Sequence, residues 1–297
     1  MIDERPPGLV SEQRSVALIM ARVTIICVTY QSAGQVKTLA KTLATFKNVI
    51  VVDNASTDLT VESICGALPF ATVIRNDRNL GFGAANNLAL RRVTTEFALL
   101  LNPDCEINES NLSQLLATAD QFNRAALIVP QAYSGARPQI SYNTAFFEAR
   151  ARTPYLVPEG PACAKFLIAC CMLMRMSAFE NHFFDERFFL YCEDDDLCLE
   201  VYRRGYECLI DPHATVQHEG GGSSSKSVKV EFIKGYHHAL SRRIFVRKHV
   251  GVLADWKLRI RHLALAPIAL LLFGISLNQL AVAKWVGRVA QALRSTP

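Results

Sequence analysis

None of the nine cysteines, at 27, 65, 105, 163, 170, 171, 192, 198 and 208, belongs to a Cys-x-x-Cys pair, and their number is odd. The N-terminus has no secretory pattern either. Residues 1–15 are polar, with Pro6-Pro7-Gly8 among them, and Val16 to Met20 is too short for the apolar core of a signal. Both absences speak against a disulfide framework and for reduced thiols in a cytoplasm, each a small core hydrophobe. Residues 1–20 are expected to form a flexible tail, and Met20 stands where a shorter product would begin. A large charge of one sign is missing too: the net charge is +5, from 32 basic and 27 acidic side chains, so no nucleic-acid partner is expected. With 50% apolar and 20% charged residues, the 297-residue chain is not disordered and can bury one large core or two small ones.

What is present is an alternation. Val23 to Thr29 and Val49 to Val52 are nearly continuous β-branched apolar runs, the pattern of strands buried on both faces. Ala71 to Ile74, Phe97 to Leu101 and Ala126 to Val129 predict further strands. Helices are predicted over 35–46, 59–67 (capped by Ser56, Thr57 or Asp58), 86–92 and 109–122. Such alternation means an α/β domain with a mainly parallel sheet. Residues 131–161 are rich in Pro, Gly and aromatics without a period, which predicts an excursion facing a substrate. Lys165 to Met174 predicts a strand, Asp196 to Arg204 a helix closed by Gly205, and Tyr206 to Ile210 a strand followed by His213 to His218.

After Lys226 the character changes. Residues 228–249 predict a basic helix, and Leu263 to Ala283 carries no charge. That length could cross a bilayer. Pro267 and Gly274 interrupt it, however, and basic residues flank both ends: Lys257, Arg259 and Arg261 before, Lys284 and Arg288 after. A re-entrant hairpin or an interfacial helix fits better than a span, with a buried core helix as the alternative. Trp256 and Trp285 read as interface anchors.

Two acidic clusters carry the chemistry. Asn102-Pro103-Asp104 follows a buried strand, where open α/β sheets hold ligands. Glu193-Asp194-Asp195-Asp196 leads into a helix. Like charges so close persist only with a metal, a cationic partner or solvent. A metal-bound nucleotide site plus a separate carboxylate base explains both. Gly81-Phe82-Gly83-Ala84-Ala85-Asn86 mimics half of a dinucleotide fingerprint, but the first strand-to-helix turn, Tyr30 to Gly34, lacks it, which argues against a dehydrogenase. The glycines serve either close backbone approach to a ribose and diphosphate or a tight turn with positive φ. His218 precedes Glu219 and Gly220-Gly221-Gly222, and Gly220 to Ser225 could close as a lid.

In order along the chain stand Asp53-Asn-Ala-Ser-Thr-Asp58, Asn79-Leu-Gly-Phe-Gly-Ala-Ala-Asn-Asn87, Leu100-Leu-Asn-Pro-Asp104, Phe184 to Leu197 and His218. Together they resemble family 2 glycosyltransferases of the GT-A fold, in the bacterial rhamnosyltransferase-like branch, over about residues 22–222. The resemblance implies a single Rossmann-like mixed sheet flanked by helices over 21–225, and a helical membrane-associating segment over 226–297. It assigns Asp53, with Thr29, to the nucleotide base, although Asp53 reads equally well as a helix cap. It places Asn79, Gly81, Gly83, Asn86, Asn102 and Glu193 around the donor. Asp104, helped by His218, would hold a divalent Mg²⁺ or Mn²⁺ against the diphosphate. Many members carry Asp-x-Asp where this chain has Asn102-Pro103-Asp104, which implies weak metal binding. Asp194 would be the general base, its pKa raised by the acids around it, with Asp196 as rival and Asp195 and Asp196 otherwise opening a helix.

The implied reaction is inverting transfer of a sugar, L-rhamnose from dTDP-L-rhamnose, to a lipid-linked or cell-envelope glycan. The alternatives are a UDP-sugar donor, a nucleotidyltransferase or a non-catalytic nucleotide-binding module. The implied partners are a nucleotide-sugar donor, a glycan or polyprenyl-linked acceptor and the inner face of the cell membrane, with a homodimer allowed.

Overall fold

The computed structural model describes residues 20–144, 156–218 and 227–294. The loose-tail expectation for 1–20 and the glycine lid fall almost wholly outside these residues. The chain divides into two units, one of Met1–Asn79, Ala85–Phe183 and Leu197–Ser223, the other of Leu80–Ala84, Phe184–Asp196 and Ser224–Pro297.

The first unit is built on a ten-stranded sheet. Strands β1 (Val23–Thr29), β2 (Val49–Asp53), β3 (Thr72–Arg75) and β4 (Phe97–Leu101) run parallel in the order β3-β2-β1-β4. Every residue of β2 and β4 is buried, as their apolar runs require when helices cover both faces. Helices α1 (Val36–Leu43), α2 (Thr60–Ala67) and α3 (Phe82–Leu90) make the crossovers. Asp58 is not itself the cap of α2, a place taken by Leu59, but its Oδ1 accepts from the Thr60 N–H at 3.1 Å. The third helix starts four residues earlier than its apolar pattern predicts, directly after Gly81, whose φ of +87° ends the incoming extended chain.

Beyond β4 the sheet is mixed rather than mainly parallel. Strand β5 (Cys105–Glu106) leads to helix α4 (Glu109–Gln121), whose first turn is capped by the Asn108 side chain accepting from Asn111 N–H at 2.9 Å. There follow β6 (Ala125–Ser134), β7 (Arg137–Pro138), β8 (Tyr142–Asn143), β9 (Ala162–Ala164), β10 (Phe166–Leu167), β11 (Cys171–Arg175) and, after helix α5 (Glu193–Arg203), β12 (Glu207–His218). The stretch expected as one strand over 165–174 is two, because Phe166–Leu167 pairs β8 in a separate small sheet while Cys171–Arg175 lies antiparallel to both β4 and β6. Conversely, 206–210 and 213–218 join as one bulged strand along β6. Strands β4, β6 and β12 therefore end at the same edge of the sheet, and β5 folds back along the end of β12, with Cys105 opposite His218.

The second unit holds helices α6 (Val228–His249), α7 (Val252–Ile275) and α8 (Gln279–Ala292). Backbones of α6 and α8 meet at glycines: a Cβ on Gly235 would strike the Lys284 carbonyl, and one on Gly287 the Phe232 carbonyl. Arg243 of α6, fully buried, makes a bidentate pair with Asp255 of α7, Nε to Oδ1 at 2.7 Å and Nη2 to Oδ2 at 3.2 Å. The uncharged stretch 263–283 is not one helix. Pro267 stays inside α7, and the break falls at Ser276 to Asn278, with Leu277 at φ +53° and Asn278 capping α8.

Candidate active site

Thr29 and Asp53 end neighbouring parallel strands and are paired in register. Both are buried, and the Thr29 hydroxyl donates to Asp53 Oδ1 at 3.4 Å. Asp53 Oδ2 accepts the Ser56 N–H at 2.9 Å, which closes the turn through Ala55 at φ +67°. One carboxylate oxygen is thus spent on the turn, and Oδ1 meets the Thr29 hydroxyl. Asn54, which the sequence reading left aside, donates from Nδ2 to Asn79 Oδ1 at 2.8 Å and accepts from Asn76 Nδ2 at 3.1 Å. This amide chain sets Asn79 beside the end of β2. Asn86 lies buried in α3.

At the end of β4 the chain turns over Asn102 to Cys105, closed by Cys105 N–H to Asn102 O at 3.0 Å and tied by Asn102 N–H to Cys170 O at 2.8 Å. The turn buries the Asp104 side chain to 3% exposure, and Oδ1 has no hydrogen-bond partner. A buried, unpartnered carboxylate oxygen costs free energy that a cation would offset. His218 ends β12 with Nε2 3.7 Å from that oxygen. Gln139, another residue the sequence did not single out, grips His218 twice: Oε1 meets Nδ1 at 2.8 Å and Nε2 donates to the His218 carbonyl at 2.9 Å. With Nδ1–H donating to Gln139, Nε2 carries the lone pair and faces Asp104. The donor set fits a divalent ion, with Asp104 and His218 the residues that would hold it.

In the second unit, Gly81 and Gly83 pack on the acidic segment's own lead-in. A Cβ on Gly81 would collide with the Phe189 carbonyl, and one on Gly83 would come 2.9 Å from Phe184 Cβ. The need for glycine at both places is met by this close packing, with Phe82 N–H donating to Phe189 O at 3.2 Å. Tyr191 and Cys192, at φ +72° and +63°, turn the chain sharply into α5. Two successive non-glycine residues in that region cost of order 1–3 kcal/mol each, a strain usually found at functional sites. All four acids fall in the first turn of α5, where the helix dipole favours them.

Their environments differ. Asp196 is buried, accepting from His249 Nε2 at 2.6 Å and Lys248 Nζ at 2.9 Å. Lys248 also bonds Asp185 at 3.1 Å, and against a burial penalty the Arg187 and Lys248 bonds hold the Asp185 carboxyl well below the carboxylate range. Glu193 is buried with Oε2 unbonded; burial first, and then the Asp194 charge, push its carboxyl well above the usual value. Glu193, beside Asp194, is thus a raised acid of this cluster. Asp194 is the one acid of the four that is not buried, and its Oδ1 accepts the Asp195 N–H at 2.9 Å. Helix α6 steadies the segment further, the Ser241 hydroxyl donating to Leu190 O at 2.8 Å.

The profile of glycosyl transferase family 2 matches residues 24–183, more than half of the chain. An N-acetylglucosaminyl-diphospho-decaprenol L-rhamnosyltransferase of Mycobacterium tuberculosis is 25% identical over 268 residues, covering 76% of this chain and 85% of that protein. Among solved structures, a mannosyltransferase of Pyrobaculum calidifontis in complex with GDP-Man and Mn²⁺ superposes with a TM-score of 0.58 at 15% identity, covering 97% of this chain and 95% of the other. GalNAc-T7 with UDP, GalNAc and Mn²⁺ gives 0.56 at 15% identity, over 77% of this chain and 50% of that one. The fold is GT-A, a mixed sheet flanked by helices with an apolar C-terminal helix.

Proposed function

The chain belongs to glycosyl transferase family 2, and from that premise we propose that it moves L-rhamnose from dTDP-L-rhamnose to a polyprenyl-diphosphate-linked or cell-envelope glycan, with inversion. It is a glycosyltransferase using a nucleotide sugar. The choice of sugar and acceptor draws on the mycobacterial relative, whose name specifies a rhamnosyl transfer to a diphospho-decaprenol-linked N-acetylglucosamine.

The observation that carries the site is Asp104 Oδ1, buried, unbonded and facing His218 Nε2 at the carboxyl edge of the sheet. A divalent cation bound there would neutralise the diphosphate as it leaves. Asp53 Oδ1 accepts a base N–H of the nucleotide, with Thr29 orienting it; Asn79, Asn86 and Asn102 bind the ribose and diphosphate side. Asp194, the accessible acid, takes the proton of the acceptor hydroxyl as that oxygen attacks the anomeric carbon, and the nucleoside diphosphate departs from the opposite face. One displacement inverts the centre. An apolar, base-flanked helix in the second unit supports a lipid-linked acceptor, reached by the enzyme from the inner face of the cell membrane.

Calorimetric titration of dTDP-rhamnose and of UDP-sugars, each with and without Mn²⁺, tests the reading. Metal-dependent binding of the dTDP donor is expected. Preference for a UDP-sugar would overturn the rhamnose assignment, and binding indifferent to metal would remove Asp104 and His218 as its ligands.

A further inference from the structure

Seven of the nine cysteines are buried, as small hydrophobes should be, but two of them are placed with more than packing in mind. The antiparallel pairing of β5 with β12 sets Cys105 directly across from His218, and the Asn102–Cys170 backbone bond brings Cys170 to the same turn. As a result Cys105 Sγ, Cys170 Sγ and a ring nitrogen of His218 all lie within 4.8 Å of one another. Asp104 Oδ1, buried and unbonded, stands 3.7 Å from His218 Nε2.

We propose that Cys105 and Cys170 make the Asp104–His218 centre a Zn²⁺ site with two sulfur ligands, which holds Zn²⁺ more tightly than Mg²⁺ or Mn²⁺ and so competes with them. The proposal rests on the reading that Asp104 and His218 face a cation. Tetrahedral Zn²⁺ takes sulfur at about 2.3 Å and imidazole nitrogen at about 2.0–2.1 Å, so its ligand atoms sit roughly 3.5–4 Å apart, a spacing that three atoms already within 4.8 Å of one another reach by a small contraction. Thiolates select Zn²⁺ over the hard, oxygen-seeking Mg²⁺ and Mn²⁺, and the order of intrinsic affinities points the same way. On binding, each thiol gives up its proton to solvent and the sulfur lone pair goes to the metal. Two thiolates and one neutral imidazole supply three ligands, the Asp104 carboxylate beside His218 Nε2 is offered the fourth position, and Gln139 fixes the imidazole tautomer.

The test is Co²⁺ titration of the reduced, metal-stripped full chain, read by absorption. A sulfur-to-cobalt charge-transfer band with tetrahedral visible bands is expected, diminished in Cys105→Ser and in Cys170→Ser and absent from the double variant. Competition against Mn²⁺, followed by its EPR signal, should show Zn²⁺ displacing Mn²⁺ from the wild type, and the double variant should bind Zn²⁺ at least roughly 10- to 100-fold more weakly. X-ray absorption on the Zn²⁺-loaded wild type needs no variant and should show sulfur at about 2.3 Å. Co²⁺ that binds without the charge-transfer band, or zinc scattering from oxygen and nitrogen alone, would overturn the thiol ligation while leaving the Asp104–His218 reading in place. If neither Mn²⁺ nor Co²⁺ binds in the presence of dTDP, both fall together.

Discussion

Asp196 is buried and accepts from two basic side chains, His249 and Lys248, whereas Asp194 two residues earlier is half-buried. The acids look alike in sequence, and their roles separate only through their partners. Asp194→Asn is expected to lower transfer by about 10²–10⁴-fold with the fold and nucleotide affinity unchanged, the scale of a lost general base. Asp196→Asn should chiefly weaken folding; a reversed pattern in paired activity and melting measurements would make Asp196 the base. Glu193 makes a prediction of opposite sign in stability. Its folded pKa lies well above the unfolded value, so its contribution is fully present below about pH 4.3 and is lost as pH rises through the folded pKa. Glu193→Gln, neutral throughout, should therefore melt higher than wild type at pH 8 and level with it near pH 4. Equal melting temperatures at both pH values would show that Glu193 is not held in a desolvated place. The nearness of Asp104 and His218, 3.7 Å apart in the structure, was legible because an acid after an apolar run and a histidine before glycines both advertise chemistry. Gln139 and Asn54 were not, because each acts through a partner that only tertiary pairing supplies.

At the scale of elements, the parallel strands β1, β2 and β4 could be read almost to the residue, since a run such as Phe97 to Leu101 has no amphipathic alternative. The start of α3 was hidden because Gly81 and Gly83 signal a loop, and only Phe189 and Phe184 pressing on them make glycine compatible with a helix there. The break between α7 and α8 was misplaced for a similar reason. Pro267 and Gly274 advertise interruptions but both sit within the helix, Gly274 just before its end, whereas Leu277, which gives no signal, takes the positive φ. Two predictions belong to the helices. Asp255→Ala leaves Arg243 buried without its partner and should cost about 3–5 kcal/mol in denaturant unfolding. His238 of α6 has its pKa lowered to about 4 by burial, and then by Arg288 and Arg242. Unfolded chain takes up this proton near pH 6.5 and the folded helix only near 4, so the stabilisation is present above about 6.5 and is lost as pH falls to about 4. His238→Gln should flatten the acid limb of a stability-versus-pH curve; an unchanged limb would mean that other groups set it.

For the molecule as a whole, the informative feature is the inverted character of α7. Its inward face carries Asp255, Leu258, His262, Ala266 and Ala269, whereas Leu253, Ile260, Ile268, Leu271, Leu272 and Ile275 point outward. By length and composition it is the one described helix that could cross a membrane, yet only 17% of its most apolar window is buried in the protein. A helix that keeps charge inside and leucine outside is stable only where something apolar meets the outer face. Arg259 over Trp256 and Arg288 over Trp285 are pairs of the kind that anchors at a membrane interface, where each cation near an anionic surface adds about 1 kcal/mol. The full chain is therefore expected to co-sediment with vesicles containing anionic lipid, less so with neutral vesicles, and less again as salt is raised. The double substitution Leu271→Asp with Leu272→Asp, at side chains that are 64% and 60% exposed, should release it while leaving calorimetric donor binding intact. Because these residues make no part of the donor site, loss of vesicle binding alone would locate membrane docking on α7. Undiminished binding would move it elsewhere and leave the outward leucines to cover, or be covered by, another protein surface.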